Sequence, residues 1–325
     1  MKYLFIVGLS VLVLLVLAFG AALAFGGPGQ PPALASIGAP FKKVDFSSLP
    51  SLGTYRARDG ATLGFRRYGP PAAIRGSVVL VHGSSASSAS MHPLAQKLAA
   101  AGFEVLTLDI RGHGVSGTKG QIAYIGQLED DLEDFVKSRT LARPATLVGL
   151  SAGGGFALRF AGSDRQDLFA SYLLLSPYIR YDAPTQRPDA AEWARVGIPR
   201  FLALTLLERT GLRIFQTLPV IRFALSPEDQ ARLTPWYSYR LNRNFQPHDD
   251  YLADIRQSRR PMALVVGTAD ELFRPDQFEP LFRSAGKPIP VRQVPGVGHV
   301  TVILEPEAIQ AARESLEGLQ GVGGQ

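Results

Sequence analysis

The pentapeptide Gly149-Leu150-Ser151-Ala152-Gly153 constrains this chain more than any other feature. It follows the apolar run Ala145 to Leu150 and precedes a helical pattern that begins with Gly154 and Gly155. A serine held in so tight a strand-to-helix turn has unfavourable dihedrals and crowded neighbours, so small residues must flank it on both sides. The following helix aims its amino-terminal dipole and the Ala152 N–H at any negative charge that develops there. This G-x-S-x-G turn therefore predicts Ser151 as a nucleophile. A serine hydroxyl is a poor nucleophile unaided, so a base and an orienting acid are required elsewhere.

The rest of the chain supplies a scaffold on which such a turn makes sense. Short runs rich in Val and Leu recur at 77–82, 104–109, 145–150, 172–176, 262–267 and 290–295, as expected of strands buried on both faces of a parallel sheet. Amphipathic stretches lie between them at 93–101, 125–138, 152–161 and 306–319. Repeated strand-helix order predicts an α/β fold with a mostly parallel central sheet and helices on both faces. The rhythm breaks once, between Ser176 and Met262, where roughly 80 residues read as helices punctuated by Pro199, Pro219, Pro227 and Pro235. That is far longer than an ordinary loop and predicts a helical cap over about 177–258.

His299, in Val297-Gly298-His299-Val300, follows the last strand and is the best candidate base. Asp270 follows the preceding strand and would orient the imidazole and stabilise its charged form. The order Ser, Asp, His along the chain suits this architecture, and both positions lie at carboxyl ends of strands, where open α/β sheets carry their sites. Glu271 is the local rival for the acid, since a slip of one residue exchanges the two. His82-Gly83-Ser84 ends the first buried strand, and its turn is expected to present the Ser84 N–H as an oxyanion donor beside that of Ala152. His82 and His113 read as structural, His92 and His248 as surface or cap residues, and His248 as the weakest alternative base.

Composition removes competing chemistries. The 325 residues contain no cysteine, which excludes disulfides, thiolate metal sites and cysteine nucleophiles. The net charge is +6, but basic residues are scattered and form no patch fitted to nucleic acid. From Tyr3 to Phe25 no charged residue occurs, and at ~1.5 Å per residue this stretch spans roughly 34 Å, enough to cross a membrane. Residues 1–25 are thus expected to be a single-pass anchor, or a signal cleaved after Ala22-Leu23-Ala24. Lys2 precedes the span and no basic residue follows until Lys42, which predicts the remainder on the extracytoplasmic side. Residues 26–53, opening with Gly26-Gly27-Pro28, read as a flexible linker. The main domain is expected over 54–319 and a frayed tail over 320–325.

From about Thr54 to Leu319 the chain resembles the α/β-hydrolase superfamily, and within it the branch of monoacylglycerol lipases and lysophospholipases that is often labelled serine aminopeptidase-like. The matching features are the His82-Gly83 loop, the loop from Asp109 to Ser116 with its Arg-Gly-His-Gly core, the Ser151 turn, and the Asp270 and His299 loops. In that branch the oxyanion loop often has a second glycine where this chain has Ser85. The resemblance implies a lid between the sixth and seventh strands, where the cap is predicted, and no metal or organic cofactor. It implies a serine hydrolase acting on lipid-like carboxylic esters such as monoacylglycerols or lysophospholipids. An amidase or aminopeptidase on the same triad is the alternative, with Asp249, Asp250 or Asp254 of the cap holding a substrate amine; a non-catalytic membrane-bound module is the third reading. The apolar cap is expected to accept an acyl chain.

Overall fold

A computed structural model describes residues 2–70, 74–188 and 192–322. Eight strands form the central sheet: β1 (Leu52–Arg56), β2 (Thr62–Tyr68), β3 (Ser77–Val81), β4 (Glu104–Leu108), β5 (Ala145–Leu150), β6 (Ser171–Leu175) and, after three strands of the cap, β10 (Met262–Gly267) and β11 (Val291–Val294). Their order is β1-β2-β4-β3-β5-β6-β10-β11. From β4 to β11 every pairing is parallel, while β2 pairs antiparallel with both β1 and β4.

Alternate side chains of the parallel strands enter two separate cores, which is why these strands read as unbroken apolar runs. Val79, Leu147, Leu174 and Leu264 face one layer, filled by Leu132 and Phe135 of helix Gln127–Lys137 and by Phe156 and Phe160 of helix Ala152–Ala161. Val78, Leu80, Val148, Leu173 and Val265 face the other, covered by helix His92–Ala100 and by helix Pro306–Val322. Full burial of a Val or Leu side chain is worth about 1.5–3 kcal/mol, so the register of these strands is fixed from both sides. The antiparallel β1–β2 pair escaped the sequence reading because one side of it meets solvent: Arg66 and Arg67 sit within β2, and Arg67 reaches Glu104 at 2.7 Å.

The insertion falls between β6 and β10, the sixth and seventh strands of the main sheet. It contains helices Ile198–Arg209, Pro227–Arg232, Tyr239–Asn244 and Tyr251–Gln257, and also a three-stranded antiparallel sheet of β7 (Ala194–Val196), β8 (Pro219–Phe223) and β9 (Trp236–Ser238). The expected helical cap is thus mixed. Strands of three to five residues, one opening on a proline, carry too short a pattern to be read. Asn244 fastens the cap to the core: its Oδ1 accepts from the N–H groups of Gly126 and Leu128, and its Nδ2 donates to Glu129.

The apolar helix Lys2–Phe25 has no buried residue in its length and is long enough to cross a membrane. Residues 26–53 differ from the expected flexible linker. Arg200 donates to the carbonyls of Leu23 and Ala24, at 2.8 Å each, and caps the helix end; Leu34 N–H donates to Ala224 of the cap. Short helical turns follow at Ala35–Gly38 and Ala39–Lys43, and β1 begins at Leu52. The carboxyl-terminal helix runs to Val322, beyond the expected boundary at 319. The last three residues of the expected tail lie outside the described residues.

Candidate active site

Ser151 joins β5 to the next helix with φ 53° and ψ −118°, an unfavourable conformation for any residue but glycine. Its surroundings enforce that shape. A Cβ on Gly149 would lie 2.1 Å from the Gly153 carbonyl oxygen, and one on Gly153 would lie 2.4 Å from that of His82. Small residues at these positions let the strand, the turn and the neighbouring loop close on one another.

The structure brings Ser151, His299 and Asp270 into one hydrogen-bonded line. His299 Nε2 is 3.0 Å from Ser151 Oγ, and its Nδ1 is 2.9 Å from Asp270 Oδ2. All three are buried, and the ring of Phe273 stands edge-on to the imidazole at 4.9 Å. Burial by itself would raise the Asp270 pKa, but the charge and hydrogen bond of His299, with the N–H groups of Leu272 and Phe273 donating to Oδ1, hold it below the ordinary carboxylate value. An ionised Asp270 can only accept, so Nδ1 of His299 carries the proton and Nε2 faces the serine with its lone pair. Glu271, the rival acid, instead accepts from the backbone N–H of His299 at 2.8 Å and braces the loop.

The two expected oxyanion donors flank the serine. Ala152 is the first residue of the helix, and a Cβ on Gly83 would lie 3.3 Å from that of Ser151, so the loop bearing Ser84 passes directly against the nucleophile. Neither the Ser84 nor the Ala152 amide meets a protein acceptor among the described residues. Ser85, where the resembling branch often has glycine, adopts φ 69°.

What holds that conformation lies in the cap and was missed from sequence. The Ser85 N–H donates to the Tyr237 hydroxyl at 2.6 Å, while its Oγ donates to the Thr234 carbonyl at 2.6 Å. Tyr237 has one proton to give, and it points to His113 Nε2, also at 2.6 Å. His113 must then be neutral with its proton on Nδ1, shared between the carbonyls of Ile110 and Arg111. Burial and the adjoining His82 ring agree, holding its pKa well below the ordinary value. No local signal marks Tyr237, which is 152 residues from Ser85.

The remaining sequence candidates fall elsewhere. His82 bonds the Gly83 carbonyl through Nδ1, a structural role as read. His92, expected at the surface, is buried, with Nδ1 3.0 Å from the Tyr68 hydroxyl. His248 pairs with Asp254 at 2.7 Å and does not line the cavity that opens on Ser151. Asp249 is held by Arg243, and Asp250 caps its own helix at Ala253; with Asp254, none lines the cavity that opens on Ser151. That cavity has a volume of about 1150 Å³, and Gly83, Ser84, Ser151 and His299 are among the residues that line it.

A family model described as serine aminopeptidase, S33, matches residues 72–307. The monoacylglycerol lipase of Mycolicibacterium smegmatis is 31% identical over 142 residues, 41% of this chain and 49% of that enzyme, so the match spans about half of the relative's length. The monoglyceride lipase of Saccharomyces cerevisiae is 28% identical over 301 residues, 83% of this chain and 93% of that enzyme. A crystal structure of a soluble variant of the yeast enzyme superposes with a TM-score of 0.65 at 20% identity, covering 86% of this chain and 98% of that one. The architecture is therefore the α/β-hydrolase fold, and the chain belongs to the serine aminopeptidase, S33, family of hydrolases.

Proposed function

We propose that this protein is a serine hydrolase of lipid-like carboxylic esters, working through an acyl-enzyme. The observation that carries the reading is the buried line from Ser151 through His299 to Asp270, opening on a cavity with apolar walls. His299 Nε2 takes the Ser151 proton as Oγ attacks the ester carbonyl, and Asp270 stabilises the imidazolium that results. The Ser84 and Ala152 amides hold the oxyanion. Collapse of the tetrahedral intermediate expels the alcohol, which receives the proton from His299, and leaves the acyl group on Ser151. Water activated by the same imidazole then releases the acid.

Similarity to a monoacylglycerol lipase and a monoglyceride lipase supports an ester substrate of the acylglycerol kind. An aminopeptidase reading would need an acid poised to hold an amine; Asp249, Asp250 and Asp254 are engaged elsewhere, and the two cap acids that line the cavity, Glu228 and Asp229, both pair with Arg232. We also infer that the helix Lys2–Phe25 tethers the protein to a membrane, with the catalytic domain on the extracytoplasmic side, because Lys2 lies at its amino-terminal end and no basic residue follows until Lys42. Protease digestion of the domain in intact cells tests the side; a domain that stays protected until the membrane is broken overturns it.

The test of function is hydrolysis of p-nitrophenyl esters from acetate to palmitate by the full chain and by Ser151→Ala. Loss of the nucleophile is expected to lower turnover by roughly 10⁴ to 10⁶. A variant that keeps a rate near wild type refutes the assignment, and a protein inert towards every ester refutes the substrate class.

A further inference from the structure

We propose that the segment Ala33–Leu49, between the apolar helix and β1, is the acyl-chain wall of the active-site cavity and sets its chain-length preference. The inference rests on the ester-hydrolase reading above. The cavity that opens on Ser151 and His299 is also lined by Leu34, Ile37, Phe41, Val44, Phe46 and Leu49 of this segment. Trp193, Leu225 and Leu233 of the cap line the same cavity. The segment Ala33–Leu49 lies outside the stretch 72–307 that matches the family model.

Three observations give the wall its role. The first is its pattern: Leu34, Ile37, Phe41 and Val44 recur at spacings of three and four along two consecutive helical turns, and so form one apolar stripe, while Lys43 and Asp45 are exposed away from the cavity and Lys42 is the one charged residue of the segment at its lining. The second is how the segment is fastened. At its start, Leu34 N–H donates to the Ala224 carbonyl of the cap at 2.9 Å. At its end, Ser48 Oγ accepts from Gln96 at 2.6 Å and lies 3.4 Å from His92 Nε2 of the main domain. It therefore bridges cap and core across the cavity. The third is incomplete burial: all four stripe residues are half-exposed. Their accessible faces look onto the same space as the nucleophile. A cavity of about 1150 Å³ with such a lining suits an extended alkyl chain whose ester carbonyl sits at Ser151.

Val44 and Leu34 line the cavity without belonging to either main core, whereas Ile37 and Phe41 also pack against those cores. The experiment therefore uses Val44→Glu and Leu34→Glu in the full chain, held in one detergent, with kcat/KM measured for p-nitrophenyl acetate and palmitate. Each charge is expected to lower the palmitate-to-acetate ratio by about tenfold or more, as discrimination in apolar pockets allows. Val44→Leu should keep the ratio, and Lys43→Glu, which places a carboxylate on the exposed side of the same turn, should leave it unchanged. A ratio that holds in both glutamate variants, or an equal loss on both esters, overturns the wall while the ester-hydrolase reading stands. Absence of any ester turnover by the wild-type chain overturns that reading and the wall with it.

Discussion

Replacing Tyr237 with phenylalanine tests whether the cap positions the oxyanion loop. The ring stays among Phe223 and His113, at centroid distances of 4.7 and 5.1 Å, and only the hydroxyl goes. Its removal strands two buried groups, the Ser85 N–H and His113 Nε2, each of which had been 2.6 Å from the oxygen. Leaving a buried polar group unpaired costs about 1–3 kcal/mol, so the pair together should cost about 2–4 kcal/mol once the loop relaxes. For a chain of this size that lowers the melting temperature by roughly 3 to 6 °C. The kinetic effect follows from Ser84, which precedes the freed residue. Deleting an oxyanion donor costs about 10² to 10³ in kcat, and displacing one costs less, so kcat should fall about 10- to 100-fold with KM little changed. The assay is p-nitrophenyl butyrate hydrolysis beside thermal unfolding. Tyr239→Phe serves as control: its hydroxyl bonds Glu208 and Thr205 wholly within the cap. It should lose stability but keep kcat within about twofold, because distant sites act independently. An unchanged kcat in Tyr237→Phe, or equal losses in both variants, refutes the positioning argument.

Other expectations are as specific. Asp270→Asn should lower kcat by about 10⁴, while Glu271→Gln, which only loosens a brace on the His299 backbone, should cost less than about tenfold; the reverse ranking would exchange their roles. Asp270 also carries a pH signature. Its folded pKa lies below the unfolded value of about 3.9, so the stability it contributes is complete above that value and is lost as pH falls through the folded one. Melting curves below about pH 4 should therefore drop more steeply for wild type than for Asp270→Asn, and parallel curves would show that the carboxylate contributes nothing. Gly149→Ala would place a methyl 2.1 Å from backbone that cannot yield, and should abolish folded protein or lower its melting temperature sharply. A variant with wild-type stability would show that the turn can open.

The parts of the fold written locally were legible. Strands β3, β4, β5, β6 and β10 are buried along their whole length, so each is a continuous apolar run that needs no partner to be recognised. The Ser151 turn is equally local, because close approach of consecutive backbone segments demands small residues within five positions. Elements with one face in solvent, or only three residues long, left no such trace; β1, β2 and the cap strands are the instances.

Sequence alone thus pointed to Ser151 as the candidate nucleophile, to the alternation of strands and helices, and to the loops that carry the candidate base and acid. Tertiary structure decided what depends on meetings between distant segments. It selected Asp270 over Glu271 for the imidazole, since the loop turns one carboxylate to the ring and the other to the backbone. It fixed Ser85 at positive φ through a tyrosine of the cap. It also folded an apparent linker beside the cavity, because Ile37 and Phe41 of its apolar stripe bury surface against the two cores. Periodicity can state that a stripe is apolar, but only the assembled chain says which surface the stripe will meet.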